Sequence, residues 1–292
     1  MSYGWKWHGK IGLLIILAAE LFLFLDIEPI TIYFTPIIWT GYILLVDSLI
    51  YIRRGESLLT ARFKEFLVLI PLSIGFWYVF EFYNLFIKNW HYVGLPENKL
   101  WRYLGYFWSF ATIWPAILLT HELIISLNLF KSKPAVSPGR PSKSFMYTSI
   151  IVGAIFLLCP IVFPSPFLAG PVWLGFLLLL DPINNLWGEK SIFADWVSGN
   201  RQTLYALFLS GLICGILWEF WNFWATAKWK YAVPILEDLR IFEMPVVGYL
   251  GFLPFAGEVY AMYNFAGGVW RKLKPAGVVA IAKSPGGASV PK

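Results

Sequence analysis

The residues able to do chemistry in this chain are carboxylic acids, and they sit where a membrane protein rarely keeps them. Seven fall well inside long apolar runs: Glu20, Asp47, Glu81, Glu122, Asp181, Glu219 and Glu258. The interiors of those runs hold no lysine or arginine. A charged side chain at the bilayer centre costs roughly 3 kcal/mol or more, so such residues mark function. An acid without a countercation has three options: keep its proton, bind a cation, or face a water-filled cavity.

Two of the acids come with an amide. Glu81 and Asn84 are three residues apart, which places them on one helix face, and Glu219 and Asn222 repeat that spacing. Each pair precedes a Trp-x-Tyr triplet, Trp90-His91-Tyr92 and Trp229-Lys230-Tyr231. The candidate catalytic set is therefore Glu81, Asn84, Glu219 and Asn222, their two faces meeting between the halves of the chain, with Glu258 as a further acid. The candidate substrate- or ion-binding set is Asp47, Asp181, Trp90, Tyr92, Trp229 and Tyr231. A blander reading stands beside each. Asp47 precedes Ser48 and Asp181 precedes Pro182, so both fit caps at a helix break that opens an interfacial segment. The Glu–Asn pairs fit interhelical hydrogen-bond glue. Glu20 has no evident partner in the second half, and Glu122 fits a helix end.

Other chemistries lack their residues. The histidines are His8, His91 and His121, and His121-Glu122 is not followed by the second histidine of a zinc-protease helix. Cys159 and Cys214 build neither a disulfide framework nor a zinc cluster. No phosphate loop, dinucleotide fingerprint, Gly-x-Ser-x-Gly or metal cluster is present, and nothing in the sequence specifies a cofactor.

The elements that must hold these acids are membrane-spanning helices. The chain is 58% hydrophobic and 14% charged, against about 25% charged in a soluble domain. A span needs about 20 apolar residues, and runs of that kind lie at about 11–27, 34–52, 66–87, 102–128, 145–165, 168–184, 203–225 and 245–268. The first lacks a small-residue cleavage site and reads as a span, not a signal peptide. The 16 tryptophans exceed what interfacial belts need, so some are expected to line a cavity.

Of 23 Lys/Arg, 17 fall in residues 1–10, 51–65, 130–144, 185–202 and 270–292. The positive-inside rule then places both termini in the cytoplasm of a multi-pass inner-membrane protein. These basic loops are topological, so membrane lipids are the expected partners and nucleic acid is not. The stretch 131–144 is polar and basic and reads as a cytoplasmic linker; 271–292 reads as a disordered basic tail.

The linker separates two similar halves. Trp39-Thr-Gly-Tyr-Ile-Leu-Leu-Val-Asp47 lines up with Trp173-Leu-Gly-Phe-Leu-Leu-Leu-Leu-Asp181, with Ser57 and Ser191 following at equal distance. Glu81-Phe-Tyr-Asn84 lines up with Glu219-Phe-Trp-Asn222, and Pro96 and Arg102 with Pro234 and Arg240. The expected fold is all-α: a polytopic transmembrane bundle of about eight spans, built from two tandem four-helix repeats (1–130 and 145–270) in parallel orientation.

The segments WTGYILLVDSLIYIRRGESLL, FEFYNLFIKNWHYVGLP, WEFWNFWATAKWKYAVP and FEMPVVGYLGFLPFAGE resemble an uncharacterised family of bacterial membrane proteins, a resemblance that implies no activity. The order Glu219, Trp229-Lys-Tyr231, Met244-Pro245, Glu258 is similar to carotenoid-modifying membrane enzymes, the heterodimeric-type lycopene cyclases and carotenoid hydratases. In the cyclases acids follow the proline; here Val246 and Val247 do. That resemblance implies acid chemistry by buried carboxyls.

Three functions fit. An intramembrane enzyme would use a buried acid to protonate a lipid or isoprenoid, and it predicts an aromatic-lined chamber open to lipid. A proton- or cation-coupled transporter would use the same acids as its ion site and predicts a polar path between the two faces. A non-catalytic subunit or lipid-binding scaffold predicts a solid core.

Overall fold

In the computed structural model, the described residues are 3–130 and 139–273. The expected linker up to residue 138 and the expected tail from residue 274 lie outside them. The linker ends sooner than its composition suggests: Ser142 Oγ accepts from the Phe145 N–H and caps a helix that begins at Lys143.

The first half forms α1 (Trp7–Phe24), α2 (Phe34–Arg54), the short α3 (Leu58–Ala61), α4 (Phe63–Ile87), the strand β1 (Trp90–Val93) and α5 (Lys99–Ser126). The second half forms α6 (Lys143–Val162), α7 (Ala169–Trp187), the short α8 (Ile192–Val197), α9 (Gln202–Trp224), β2 (Lys228–Tyr231), β3 (Arg240–Ile241), β4 (Met244–Pro245) and α10 (Phe252–Leu273). Among the described residues seven helices are long and apolar enough to cross a membrane: α1, α2, α4, α5, α6, Pro166–Trp187 (which contains α7) and α9. The chain is a membrane protein by this measure. The eighth expected run is built differently. Met244–Pro245 is strand, Val246–Gly251 is a 3-10 turn, and α10 begins only at Phe252. Glu258 and Asn264 leave α10 less apolar than the seven.

The all-α expectation is corrected at the two Trp-x-Tyr triplets. They form β1 and β2, which pair antiparallel, with Trp90 opposite Tyr231 and Tyr92 opposite Trp229. Aromatic residues suit a pleated, half-buried surface, and the pairing satisfies backbone groups beside an apolar interior.

Two pairs of helices approach closely at glycines. A Cβ on Gly12 of α1 would lie 2.5 Å from the Gly41 carbonyl of α2, and one on Gly153 of α6 would lie 2.5 Å from the Leu179 nitrogen of α7. Small residues at such crossings let apolar helices pack without a hydrophobic driving force. The other faces of α1 and α6 expose Leu14, Leu17, Ile151 and Ile155, which suits contact with lipid.

The two halves interlock through aromatic rings. Trp39 of α2 packs on Trp218 of α9 with centroids 5.0 Å apart, and Trp173 of α7 stacks on Phe80 of α4 at 5.1 Å. Tyr42 meets Trp221 at 6.1 Å, and Phe176 meets Tyr83 at 5.7 Å. In each case a ring of α2 reaches α9 in the second half, and its sequence counterpart on α7 reaches back to α4.

Candidate active site

The site is built by the way α4 and α9 end. Past Ile87, Lys88 takes a left-handed backbone (φ 51°) and the chain reverses. Asn84 holds the reversal: its Oδ1 accepts from the Asn89 N–H at 2.9 Å and the Trp90 N–H at 3.2 Å, and its Nδ2 donates to the Trp90 carbonyl at 2.8 Å. Asn222 does the same for β2, accepting from the Trp229 N–H at 3.0 Å and donating to the Trp229 carbonyl at 2.8 Å. The expectation that these amides join the carboxyls in a shared polar cluster is therefore corrected. Both are consumed by backbone, and their effect is to fold each Trp-x-Tyr strand back against its own glutamate.

The two glutamates then differ. Glu81 Oε1 accepts from Trp77 Nε1 (2.9 Å), Trp90 Nε1 (3.1 Å) and Tyr92 OH (2.5 Å). Glu219 Oε1 accepts from Tyr231 OH at 2.8 Å, and that phenol oxygen in turn accepts from Trp229 Nε1 at 2.8 Å. Glu219 is fully buried, and its Oε2 has no hydrogen-bond partner. Burial, and next the carboxylate each one meets, push the Tyr92 and Tyr231 phenols well above their ordinary value of 10.0. Both therefore stay protonated and keep donating.

Beside Glu219 lies a partly enclosed chamber of about 430 Å³, within the range usual for small-molecule sites. Its walls are aromatic: Trp77, Trp90, Trp173, Trp218, Trp229 and Phe255, with the Tyr92 and Tyr231 phenols. Among the described residues its charged lining groups are Glu219, Arg102 and Lys228. Lys228 Nζ is neutralised by Glu243 Oε1 at 2.7 Å.

The structure thus brings together five of the sequence-selected residues, Glu219, Trp90, Tyr92, Trp229 and Tyr231, on one chamber wall. Glu81 stands behind that wall, bonded to three of its lining side chains. Glu258 does not reach it. It is buried in α10, with Oε1 accepting from the Phe176 N–H at 3.0 Å and Oε2 without a partner. Asp47 and Asp181 do not line it either. Asp47 accepts from Ser57 Oγ (2.7 Å) and the Leu59 N–H (3.0 Å), and His8 Nε2 lies 3.0 Å away. Asp181 accepts from Ser191 Oγ (2.7 Å) and the N–H groups of Ile192 (2.7 Å) and Phe193 (3.0 Å). They anchor the starts of α3 and α8. The expected helix break at these acids is corrected: α2 runs on to Arg54, and α7 passes through Pro182 to Trp187.

Glu122 does lie near a helix end, about one turn before α5 stops at Ser126, and it and Glu20 both have partners. Glu20 has a partner, the Trp221 indole N–H at 2.8 Å. Glu122 has cations, Arg62 at 2.6 Å and Arg54 at 3.2 Å, because α2, α3 and α5 converge at that end of the bundle. The sequence reading did not single out Trp77, Trp173, Trp218, Phe255 and Arg102 as site residues. Trp173 and Arg102 carried a signal in their matched positions between the halves. The other three are aromatic residues among many, and only packing selects them.

Comparison of the chain with protein-family models, with curated proteins and with solved structures finds no match.

Proposed function

We propose that this chain is an intramembrane enzyme in which Glu219, in its acid form, protonates an apolar isoprenoid-type alkene held in the aromatic chamber. One observation carries the reading: Glu219, a fully buried carboxyl with one unpartnered oxygen, is among the residues that line an apolar cavity walled by indoles. A buried polar atom left unsatisfied costs about 1–3 kcal/mol. Glu258 bears the same cost away from the chamber; Glu219 is the one of the two that lines it, where a proton donor is needed.

In the proposed step the Glu219 O–H bond breaks, a C–H bond forms at one alkene carbon, and a carbocation and a carboxylate remain. The indole and phenol faces stabilise the cation through their π systems. The carboxylate then takes a proton from an adjacent carbon. The net change is an isomerisation or ring closure, with no atom gained and no oxidant required. Tyr231 holds Glu219 Oε1 and so fixes the orientation of the carboxyl. Glu81, whose Oε1 takes three donors, positions the Tyr92 and Trp90 side of the wall.

The architecture we propose around this site is a duplicated four-helix unit with eight spans, α10 being the eighth, and both termini in the cytoplasm of the inner membrane. The glycine crossings, the Asp–Ser anchors, the Asn-held strands and the reciprocal aromatic contacts support it. The chamber then lies between the halves near the outer face, as expected for parallel repeats.

The test is expression in a bacterial host with the extracted lipids and isoprenoids compared by mass spectrometry, alongside Glu219→Gln. A species that appears with the wild type and not with the variant supports the reading. An unchanged profile with folded protein, together with Glu219-dependent proton or cation flux in liposomes, replaces the enzyme with a transporter.

A further inference from the structure

Resting on the chamber as a substrate site, we propose that its ligand is an anionic amphiphile, a prenyl phosphate, whose phosphate is held by Arg102 and whose chain lies toward Glu219.

The argument starts from a difference between matched residues. Arg240 of the second half is fully engaged: its guanidinium donates to the Glu237 carbonyl (2.8 Å) and Glu237 Oε1 (3.1 Å), and to the carbonyls of Tyr231 (3.4 Å) and Glu243 (3.3 Å). It ties the loop around β3 and β4 together. Arg102, its counterpart, donates through Nε to the Pro96 carbonyl at 2.9 Å. Among the described residues no carboxylate lies within ion-pair distance of it, and its terminal nitrogens have no acceptor. Arg102 also lines the chamber, while Lys228, the other cation there, is bound to Glu243. The chamber therefore has one uncompensated positive charge, carried by the side chain best suited to a two-pronged grip on phosphate.

Position agrees with charge. Arg102 sits in the first turn of α5, at the end of the bundle that carries β1 and β2. That is where a lipid's polar head meets its chain. Down the same face of α5, the chamber-lining residues change from Arg102 to Tyr106 and Ser109, then to Phe110 and Ile113. The wall grades from cation through hydroxyl to hydrocarbon over three helical turns. A neutral terpene has no use for the first part of that gradient and a free phosphate none for the last. An amphiphile uses both. The two halves have then divided the work: the first keeps an open arginine, the second an open carboxyl.

The test is equilibrium binding to the full chain in neutral phosphatidylcholine nanodiscs, read by quenching of tryptophan fluorescence. The probes are farnesyl phosphate, farnesol and inorganic phosphate, with thermal melts confirming that each variant is folded. Farnesyl phosphate is expected to bind at least about tenfold more tightly than farnesol. Arg102→Gln should remove that preference and leave farnesol binding unchanged, and Arg102→Lys should restore part of it. Glu219→Gln should leave binding intact. Equal binding of phosphate and alcohol, indifferent to Arg102, overturns the proposal while leaving the chamber as a terpene site. Competition by inorganic phosphate at equal affinity overturns it in favour of a free-phosphate site. Binding of neither prenyl probe removes the chamber reading itself.

Discussion

Tyr231 donates to one oxygen of Glu219 at 2.8 Å, and the other oxygen of that carboxyl, fully buried, meets nothing. Glu258 shares this half-satisfied state, but of the two only Glu219 lines the chamber. Asp47, Asp181 and Glu81 have their donors, and Glu122 has its arginines.

Replacing Glu219 by Gln keeps the shape and removes the proton. Conversion of the substrate should fall at least about 100-fold, the usual weight of a general acid. Thermal stability should fall by no more than about 1–3 kcal/mol, because a neutral amide of the same shape replaces a neutral acid and its NH2 finds no acceptor. A sharp loss of stability would mean that the carboxyl is structural.

Tyr231→Phe removes the single donor to Glu219 Oε1 and frees Trp229 Nε1. It should cost about 1 kcal/mol of stability and lower turnover more than substrate affinity, since the acid is still present and no longer held. Steady-state kinetics separate the two; a change confined to affinity would make Tyr231 a binding residue only.

Asn222→Ala and Asn84→Ala each strip an amide from a buried turn. A loss of about 1–3 kcal/mol each is expected, with Asn→Asp recovering the acceptor half. Melting in detergent tests this. If alanine leaves stability unchanged and abolishes activity, the amides act on substrate after all.

Asp181→Ala leaves Ser191 and two backbone N–H groups unpaired in a buried setting. It should destabilise by about 3 kcal/mol or more without altering product identity. A folded variant making a different product would place Asp181 in the chemistry.

The phenols give a pH signature. Tyr92 and Tyr231 are pushed well above 10.0 by burial and by their glutamates. Unfolded tyrosines ionise at about 10 while these stay neutral. Their contribution to stability is therefore complete below pH ~10 and declines as pH rises beyond it. Alkaline spectrophotometric titration of the folded protein should show phenolate absorbance lagging in the wild type, and less lag in Tyr92→Phe and Tyr231→Phe.

Much of this protein was fixed by composition and order alone. Apolar runs of about 20 residues can be satisfied only by helices in a bilayer, so seven of the expected spans appear as helices within a few residues of their predicted limits. Of the residues picked out by the spacing Glu–x–x–Asn followed by Trp-x-Tyr, Glu219 and the four aromatic residues of the triplets line the chamber. The spacing did not reveal that the asparagines serve the backbone, because an amide's partners depend on how the chain turns after the helix ends. It also missed the two strands, since each triplet pairs with one about 140 residues away (Trp90 with Tyr231). Part of the distinction between Glu81 and Glu219 is local: four residues before them stand Trp77 and Gly215, so Glu81 Oε1 gains an indole donor that Glu219 lacks. The rest is tertiary, since the Trp90 indole bonds Glu81 directly while the Trp229 indole bonds the Tyr231 hydroxyl. Local sequence selects elements and residue types; which polar atom stays unpaired, and which acid meets a cavity, is decided by three-dimensional neighbours: Glu219 and Glu258 each keep a bare oxygen, and of the two only Glu219 lines the chamber.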